Sequence, residues 1–287
     1  MDELYAKVSV STKQTLYQFM RDYGISLMNY CFDYYFQFCI RKNNIRVFSH
    51  HFSNHKIEGL TVMDSIGISF SYERDNPKVK QNFTLCHELG HFLLNHKGSY
   101  FTESVNNRED ILEREANIFS AVVLMPDIVL LSKIYYNCDT FQRVQESLAV
   151  SKQALYFRLL DLLREYLLYR ENEIKGAIES YMYGDNGLVH LLFHEIKGYI
   201  IREFKQYHPS VLNQIKKEVD ELDFATSQEF PELLNQETCD LIKESNSNLK
   251  TWLVYSKGNT IAYVWNSKKL SDSEARRKAE LLLINVR

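Results

Sequence analysis

The sequence predicts an α+β fold in which a small sheet leads into a pair of helices, a helical segment and then a smaller C-terminal α+β domain. Three observations predict it. Short apolar runs with strand patterning fill residues 44–72, a 3.6-residue apolar period dominates 77–168, and strand patterning returns near 251–265 after a turn-rich break. With 287 residues, 45% of them hydrophobic, the chain has enough apolar content for one large domain or two medium ones.

Along the chain, Leu16, Phe19, Met20, Tyr23, Leu27, Tyr30 and Cys31 recur at three- and four-residue steps, which predicts one or two amphipathic helices over 11–41. The runs NIRVFSHH, IEGLTVM and IGISFSY follow as strands, the last two joined by a hairpin at Asp64-Ser65. Asn76-Pro77 is a helix start and Gly98 a stop, so 77–97 should be one helix. A polar loop through Val105-Asn106-Asn107 leads to a second helix, EDILEREANIFSAVVLM, ended by Pro126. Residues 141–168 read as two helices broken near Ala149-Val150-Ser151, with Ser151 capping the second in a helix-turn-helix-like arrangement. The turn-rich cluster Tyr183-Gly184-Asp185-Asn186-Gly187 marks a domain boundary, giving units over 1–170 and 185–287. In the second, 188–222 is helical, TWLVYSKGNTIAYVW is a hairpin turning at Lys257-Gly258-Asn259, and a closing helix starts at the capping box Ser271 to Glu274.

Composition excludes several classes. Lys plus Arg number 34 against 37 Asp plus Glu, so the net charge of -3 carries no sign of a nucleic-acid or anionic-membrane partner. Five scattered cysteines without a CxxC pair argue against a disulfide framework and for a reducing compartment. The N-terminus is acidic where a signal peptide is basic, and the longest apolar run, GISLMNYCFDYYFQFCI, is broken by Asn29, Asp33 and Gln37; the expectation is a cytoplasmic protein that does not enter a membrane.

The chemistry concentrates in FTLCHELGHFLLNH, residues 83–96. His87 and His91 are four apart, about 40° around a helix axis, which suits two imidazole nitrogens on one Zn2+. Glu88 lies about 100° from His87, on the shoulder of that face, where a carboxylate can act as general base toward water activated by the metal. The reaction this assembles is amide hydrolysis. The competing reading is a helix whose histidines are merely hydrogen-bonded.

A third ligand decides between them. The pattern HExxHxxGxxH fails, since Leu94 and Lys97 stand where Gly and His are needed, and His96 is assigned only a favourable place near the helix C-terminus. Glu109, Glu113 and Glu115 on the next helix remain. Glu113 and Glu115 are about 200° apart, so only one is expected to face the histidines. Glu115 shares its face with Ile111, Ile118, Phe119 and Val122, and a carboxylate on an apolar stripe needs a partner such as a metal, so Glu115 is the expected ligand. An ion pair of Glu115 with Arg or His is the alternative.

These residues resemble the ImmA/IrrE family of metallopeptidases, in which an HELGH helix is followed by an E-A-N-x-F-A-A-x-L-L-M-P helix. The matching positions are Phe83, Thr84, His87, Glu88, Leu89, Gly90, His91, Glu115, Ala116, Asn117, Phe119, Ala121, Leu124, Met125 and Pro126, and the likeness extends over roughly 44–165. The resemblance implies a gluzincin-like domain with His87, His91 and Glu115 as zinc ligands and Glu88 as catalytic base. It also implies a role in bacteria, prophages or mobile elements, where such proteins cleave or otherwise inactivate helix-turn-helix repressors. Departures are Ser120 for alanine, the β-branched Val122-Val123, and Cys86 before the first histidine, read as a small buried thiol rather than a redox partner of zinc.

The favoured expectation is a zinc endopeptidase whose partner is a repressor, with the C-terminal unit gating it. A non-proteolytic antirepressor that acts by binding is the alternative. DNA binding through Ser151-Lys152-Gln153 is disfavoured because no basic stripe accompanies it. The aromatics Trp252, Tyr255, Tyr263 and Trp265 are expected to fill a core, with partner docking as the alternative. Nothing in the sequence sets the oligomeric state.

Overall fold

The structure is a computed structural model that describes residues 3–51, 57–65, 67–96, 100–104, 111–256 and 258–284. It is α+β, as expected, and divides into two compact units, Met1–Tyr207 and His208–Arg287.

In the first unit, α1 (Glu3–Asp22) and α2 (Phe32–Lys42) precede β1 (Arg46–His50), β2 (Ile57–Asp64) and β3 (Gly67–Glu73). Then come α3 (Lys78–Leu93), β4 (Tyr100–Ser104), α4 (Ile111–Leu124) and α5 (Asp127–Leu130), which runs into a π-helical turn over Leu131–Tyr136. The unit closes with α6 (Phe141–Leu148), α7 (Lys152–Tyr166), α8 (Glu171–Met182) and α9 (Gly187–Lys205). The sheet order is β1-β3-β2-β4, with β1 parallel to β3 and the other pairs antiparallel. The expected β2–β3 hairpin is present: Gly67 has φ 133°, open only to glycine, and its N–H donates to Asp64 Oδ1 at 3.2 Å. β4, which the sequence reading did not predict, pairs with β2.

Helix α3 packs on this sheet and on α4. Its N-cap is Pro77 rather than Asn76, and it ends at Leu93, before the expected stop at Gly98, which lies outside the described residues. The terminator is Asn95, whose φ of 56° is left-handed; its N–H donates to Phe92 O (3.1 Å) and that of His96 to His91 O (3.1 Å), a Schellman closure. This early stop folds His96 back toward His91. At the α3–α4 crossing, a Cβ built on Gly90 would stand 3.3 Å from Ala116 Cα and 3.1 Å from Phe119 Cδ1, so a residue without a side chain sets the closest approach. The loop expected at 105–107 and the Glu109 candidate lie outside the described residues.

Ser151 caps α7 as expected, accepting from Ala154 N–H at 3.1 Å, and Ala149 turns the chain with φ 51°. Ile174, Ile178 and Tyr181 of α8 and Val189 and Phe193 of α9 are buried in the same core as α7. The cluster 183–187 therefore joins two helices of the first unit, and the division between units falls at Tyr207/His208.

A buried ionic network ties α1, α5, α7 and α9 together. Lys13 Nζ lies 3.0 Å from Asp127, 3.3 Å from Glu165 and 3.0 Å from Glu203. Arg158 pairs with Asp127, donates from Nε to Met125 O at 3.1 Å and from Nη1 to Tyr5 Oη at 2.8 Å. Burial alone would raise the Asp127 carboxyl, but Lys13 and Arg158 hold it below its ordinary range. Burial pushes Glu165 and Glu203 up instead. Among the described residues one stretch, Ile111–Tyr136, is long and apolar enough to cross a membrane; its most apolar 18 residues are 78% buried within the protein, the pattern of a core helix.

The second unit comprises α10 (Val211–Leu222), β5 (Phe224–Thr226), a 3-10 turn at Pro231–Leu234, α11 (Gln236–Ser245), β6 (Leu249–Ser256), β7 (Asn259–Asn266) and α12 (Asp272–Ile284). Its antiparallel sheet has the order β5-β7-β6. Central β7 is buried on both faces: Ala262 and Val264 face a cluster with Ile215 and Ile242, while Tyr263 and Trp265 face Ala275 and Ala279. Trp252 and Tyr255 are exposed, so only half of the aromatic set fills the core. The capping box forms, with Glu274 N–H donating to Ser271 Oγ and Ser271 N–H to Glu274 Oε2 at 2.9 Å.

Candidate metal centre

Helical spacing places His87 and His91 one turn apart, and the fold buries both rings. Their Nε2 atoms are 3.0 Å apart. Glu113 of α4 closes the set, its carboxylate oxygens 3.1 Å from His87 Nε2 and 3.5 Å from His91 Nε2. The other ring nitrogens have assigned partners. Asn117, one turn beyond Glu113 on the same face, places Oδ1 3.0 Å from His87 Nδ1. His91 Nδ1 lies 2.8 Å from His96 Nδ1, and His96 Nε2 lies 2.9 Å from Glu115 Oε2.

These partners set the tautomers. An amide oxygen only accepts, so His87 carries its proton on Nδ1. A carboxylate only accepts, so His96 carries its proton on Nε2 and accepts at Nδ1 from His91 Nδ1–H. His87 Nε2 and His91 Nε2 both turn inward, toward each other and toward the Glu113 carboxylate. Three electron-pair donors converging in a buried site repel one another unless a cation lies between them. Burial, with the neighbouring His87 and His96, lowers the His91 pKa to about 3, so its ring is neutral and able to ligate at physiological pH. The donor set of two imidazoles and a carboxylate fits a divalent transition metal such as Zn2+, with the outer hydrogen bonds that orient such ligands.

The sequence reading placed Glu115 at the histidine pair; in the structure Glu113 occupies that place and Glu115 reaches His96. The helical angle between the two carboxylates was read correctly, but the conclusion that only one could face α3 does not hold. Because α3 crosses α4 over Ala116, which lies between the two carboxylates around α4, Glu113 reaches the α3 histidines on one side and Glu115 reaches His96, just past the end of α3, on the other. Asn117 and the i, i+4 pair Glu113/Asn117, which mirrors His87/His91, were the signal that could have identified this face.

Glu88 faces the sheet. It is fully buried, and its Oε2 accepts the Thr61 hydroxyl of β2 at 2.5 Å. A Cβ at Gly59 would collide with Glu88 Oε1 and with Thr84 Cγ2, so β2 reaches this close only because residue 59 is glycine. Cys86 is a buried thiol whose pKa burial raises well above the ordinary value, in keeping with a packing role. A second group able to hold a cation, His51, Glu73 and Asp75, lies at the surface, with His51 and Asp75 exposed.

A helix carrying two histidines and a glutamate, crossed by a second helix bearing a carboxylate, defines a metallopeptidase-type centre. The comparison with family models agrees: residues 40–160 match the model described as Peptidase_M78, IrrE N-terminal-like domain. Residues 40–160 are thus similar to the domain of this metallopeptidase family, which supports the ImmA/IrrE resemblance over that segment. No curated protein and no solved structure matches the chain.

Proposed function

We propose that the protein is a cytoplasmic zinc-dependent endopeptidase that hydrolyses a peptide bond in a helix-turn-helix transcriptional repressor. The observation that carries the metal-dependent part is the convergence of the two Nε2 atoms, 3.0 Å apart, with the Glu113 carboxylate 3.1 Å and 3.5 Å from them. When bound there, a zinc ion supplies Lewis acidity, polarising the scissile carbonyl and making water acidic enough to attack at neutral pH. His87, His91 and Glu113 would hold the ion. Asn117, His96 and Glu115 hold the ligands. Glu88, next along the helix from His87, is the proton acceptor toward the attacking water and returns the proton to the leaving amine. For this it must turn part of its carboxylate from Thr61 toward the substrate side. The repressor as substrate, in a bacterial, prophage or mobile-element circuit, is supported by the family resemblance alone.

The full burial of Glu88 and its bond to Thr61 favour a second reading, an antirepressor that uses the metal to hold its fold and acts by binding. Co-expression with the product of a neighbouring repressor gene, followed by intact-mass analysis, separates them. A pair of new masses summing to the repressor plus one water supports the endopeptidase. Repressor inactivated at unchanged mass sinks it.

A further inference from the structure

A cavity of about 640 Å³ opens beside the histidine pair, with His87 and Glu113 in its wall. Most of the remaining wall is apolar: Phe83 of α3, Ile118, Ala121 and Leu124 of α4, and Ala154 and Phe157 of α7. Several of these side chains keep contact with solvent, Phe157 being 50% exposed, so they line an opening rather than a packed core. The charged members of the wall are already paired. Lys80 Nζ lies 2.5 Å from Glu58, Arg158 is taken up by Asp127, and Asp161 stands 3.8 Å from Arg164. The Ser151 cap and the left-handed Ala149 aim the first turns of α7 across this opening. Ala121 is one turn past Asn117 and two past Glu113, so it lies on the face of α4 that carries the metal-binding carboxylate. Its single methyl leaves the depth of the slot open.

We infer that this slot is the specificity subsite of the metal centre and takes one bulky apolar side chain, of leucine, methionine or phenylalanine type, from a polypeptide lying across His87 and Glu113. The inference rests on the peptidase reading above and adds the class of residue beside the scissile bond. Continuity is the argument for the occupant: a chain whose carbonyl meets the histidine pair places a neighbouring side chain in the cavity that shares that wall. A charged side chain would be desolvated there among groups whose charges are already matched, whereas an apolar one gains from leaving water. The volume lies in the range that holds a side chain with part of its backbone.

The test uses the zinc-loaded full-length protein and hydroxamates as probes: acetohydroxamate, and succinyl hydroxamates bearing hydrogen, methyl or isobutyl beside the zinc-binding group. Affinity is read by calorimetry, independently of turnover. The isobutyl compound should bind at least about tenfold more tightly than the hydrogen compound. Ala121→Leu should abolish that gain while leaving zinc content and acetohydroxamate affinity unchanged. Phe157→Ala, at a half-exposed position, should reduce the gain and serves if the first variant does not fold. Equal affinity across the series, or a full gain retained in folded Ala121→Leu, overturns the subsite. Failure of acetohydroxamate itself to bind overturns the metal reading and this inference with it.

Discussion

His91 Nδ1 lies 2.8 Å from His96 Nδ1, and through that contact a residue beyond the end of α3 sets which nitrogen of His91 faces His87 and Glu113. His96 owes its orientation to Glu115 and its position to the left-handed turn at Asn95. His96→Ala and Glu115→Gln should therefore weaken zinc binding by about 10–100-fold while leaving a stoichiometric site, as loss of an outer hydrogen bond does elsewhere. Glu113→Ala should remove the site. Competition with a chelator of known affinity measures all three, and zinc retained at full affinity in Glu113→Ala would refute the ligand set.

Glu88→Gln should keep zinc and fold and reduce cleavage by at least about 100-fold, the usual effect of losing a general base. Thr61→Val should do the opposite of a structural lesion: by releasing Glu88 from its hydroxyl partner it leaves metal content intact and changes the rate of cleavage. Repressor inactivation unchanged in Glu88→Gln would assign the function to binding.

The Lys13 network combines two cations with three carboxylates, and burial raises the pKa of Glu203. A carboxyl with a raised folded pKa binds protons more tightly folded than unfolded, so its contribution to stability falls as pH rises through the window above the ordinary glutamate value. Glu203→Gln should therefore raise the melting temperature more at pH 7.5 than at pH near 5. Asp127 has the opposite sign: its stabilisation is present above the ordinary carboxylate pKa and lost on acidification below it. Asp127→Asn, which leaves two buried cations short of a partner, should cost about 3–5 kcal/mol in denaturant unfolding.

Truncation tests the division between units. A chain ending at Tyr207 should unfold cooperatively and keep its zinc. One ending near Lys175 loses Ile178, Tyr181, Val189 and Phe193 from the core and Glu203 from Lys13, and should not give a folded, zinc-binding product. If the second unit gates activity, the longer fragment cleaves at a changed rate.

Local signals carried much of this structure. The HELGH spacing, the Ser151 cap, the β2–β3 hairpin and the Ser271–Glu274 box depend on residues within one or two turns of each other, and each is found where the pattern predicts it. The rival roles of Glu113 and Glu115 were not legible, because a helical wheel gives the angle between two residues but not the line along which a partner helix crosses. The sequence assigns His96 only a favourable place near the end of a longer helix, because a left-handed asparagine is a weaker stop signal than the glycine three positions on. The Lys13–Asp127 pair joins residues 114 positions apart, beyond the reach of any periodicity, and it ties α1 to the family-matched segment.

The Gly90–Ala116 crossing governs what the centre can accept. Ligands on one rod and ligands on the other are spaced by glycine against the Ala116 backbone and the buried Phe119 ring, which leave little room to lengthen or shorten the gap. Such a clasp has a nearly fixed gauge. It should discriminate among ions by radius, and a larger residue at position 90 would be felt first as a change of metal preference rather than as loss of the fold.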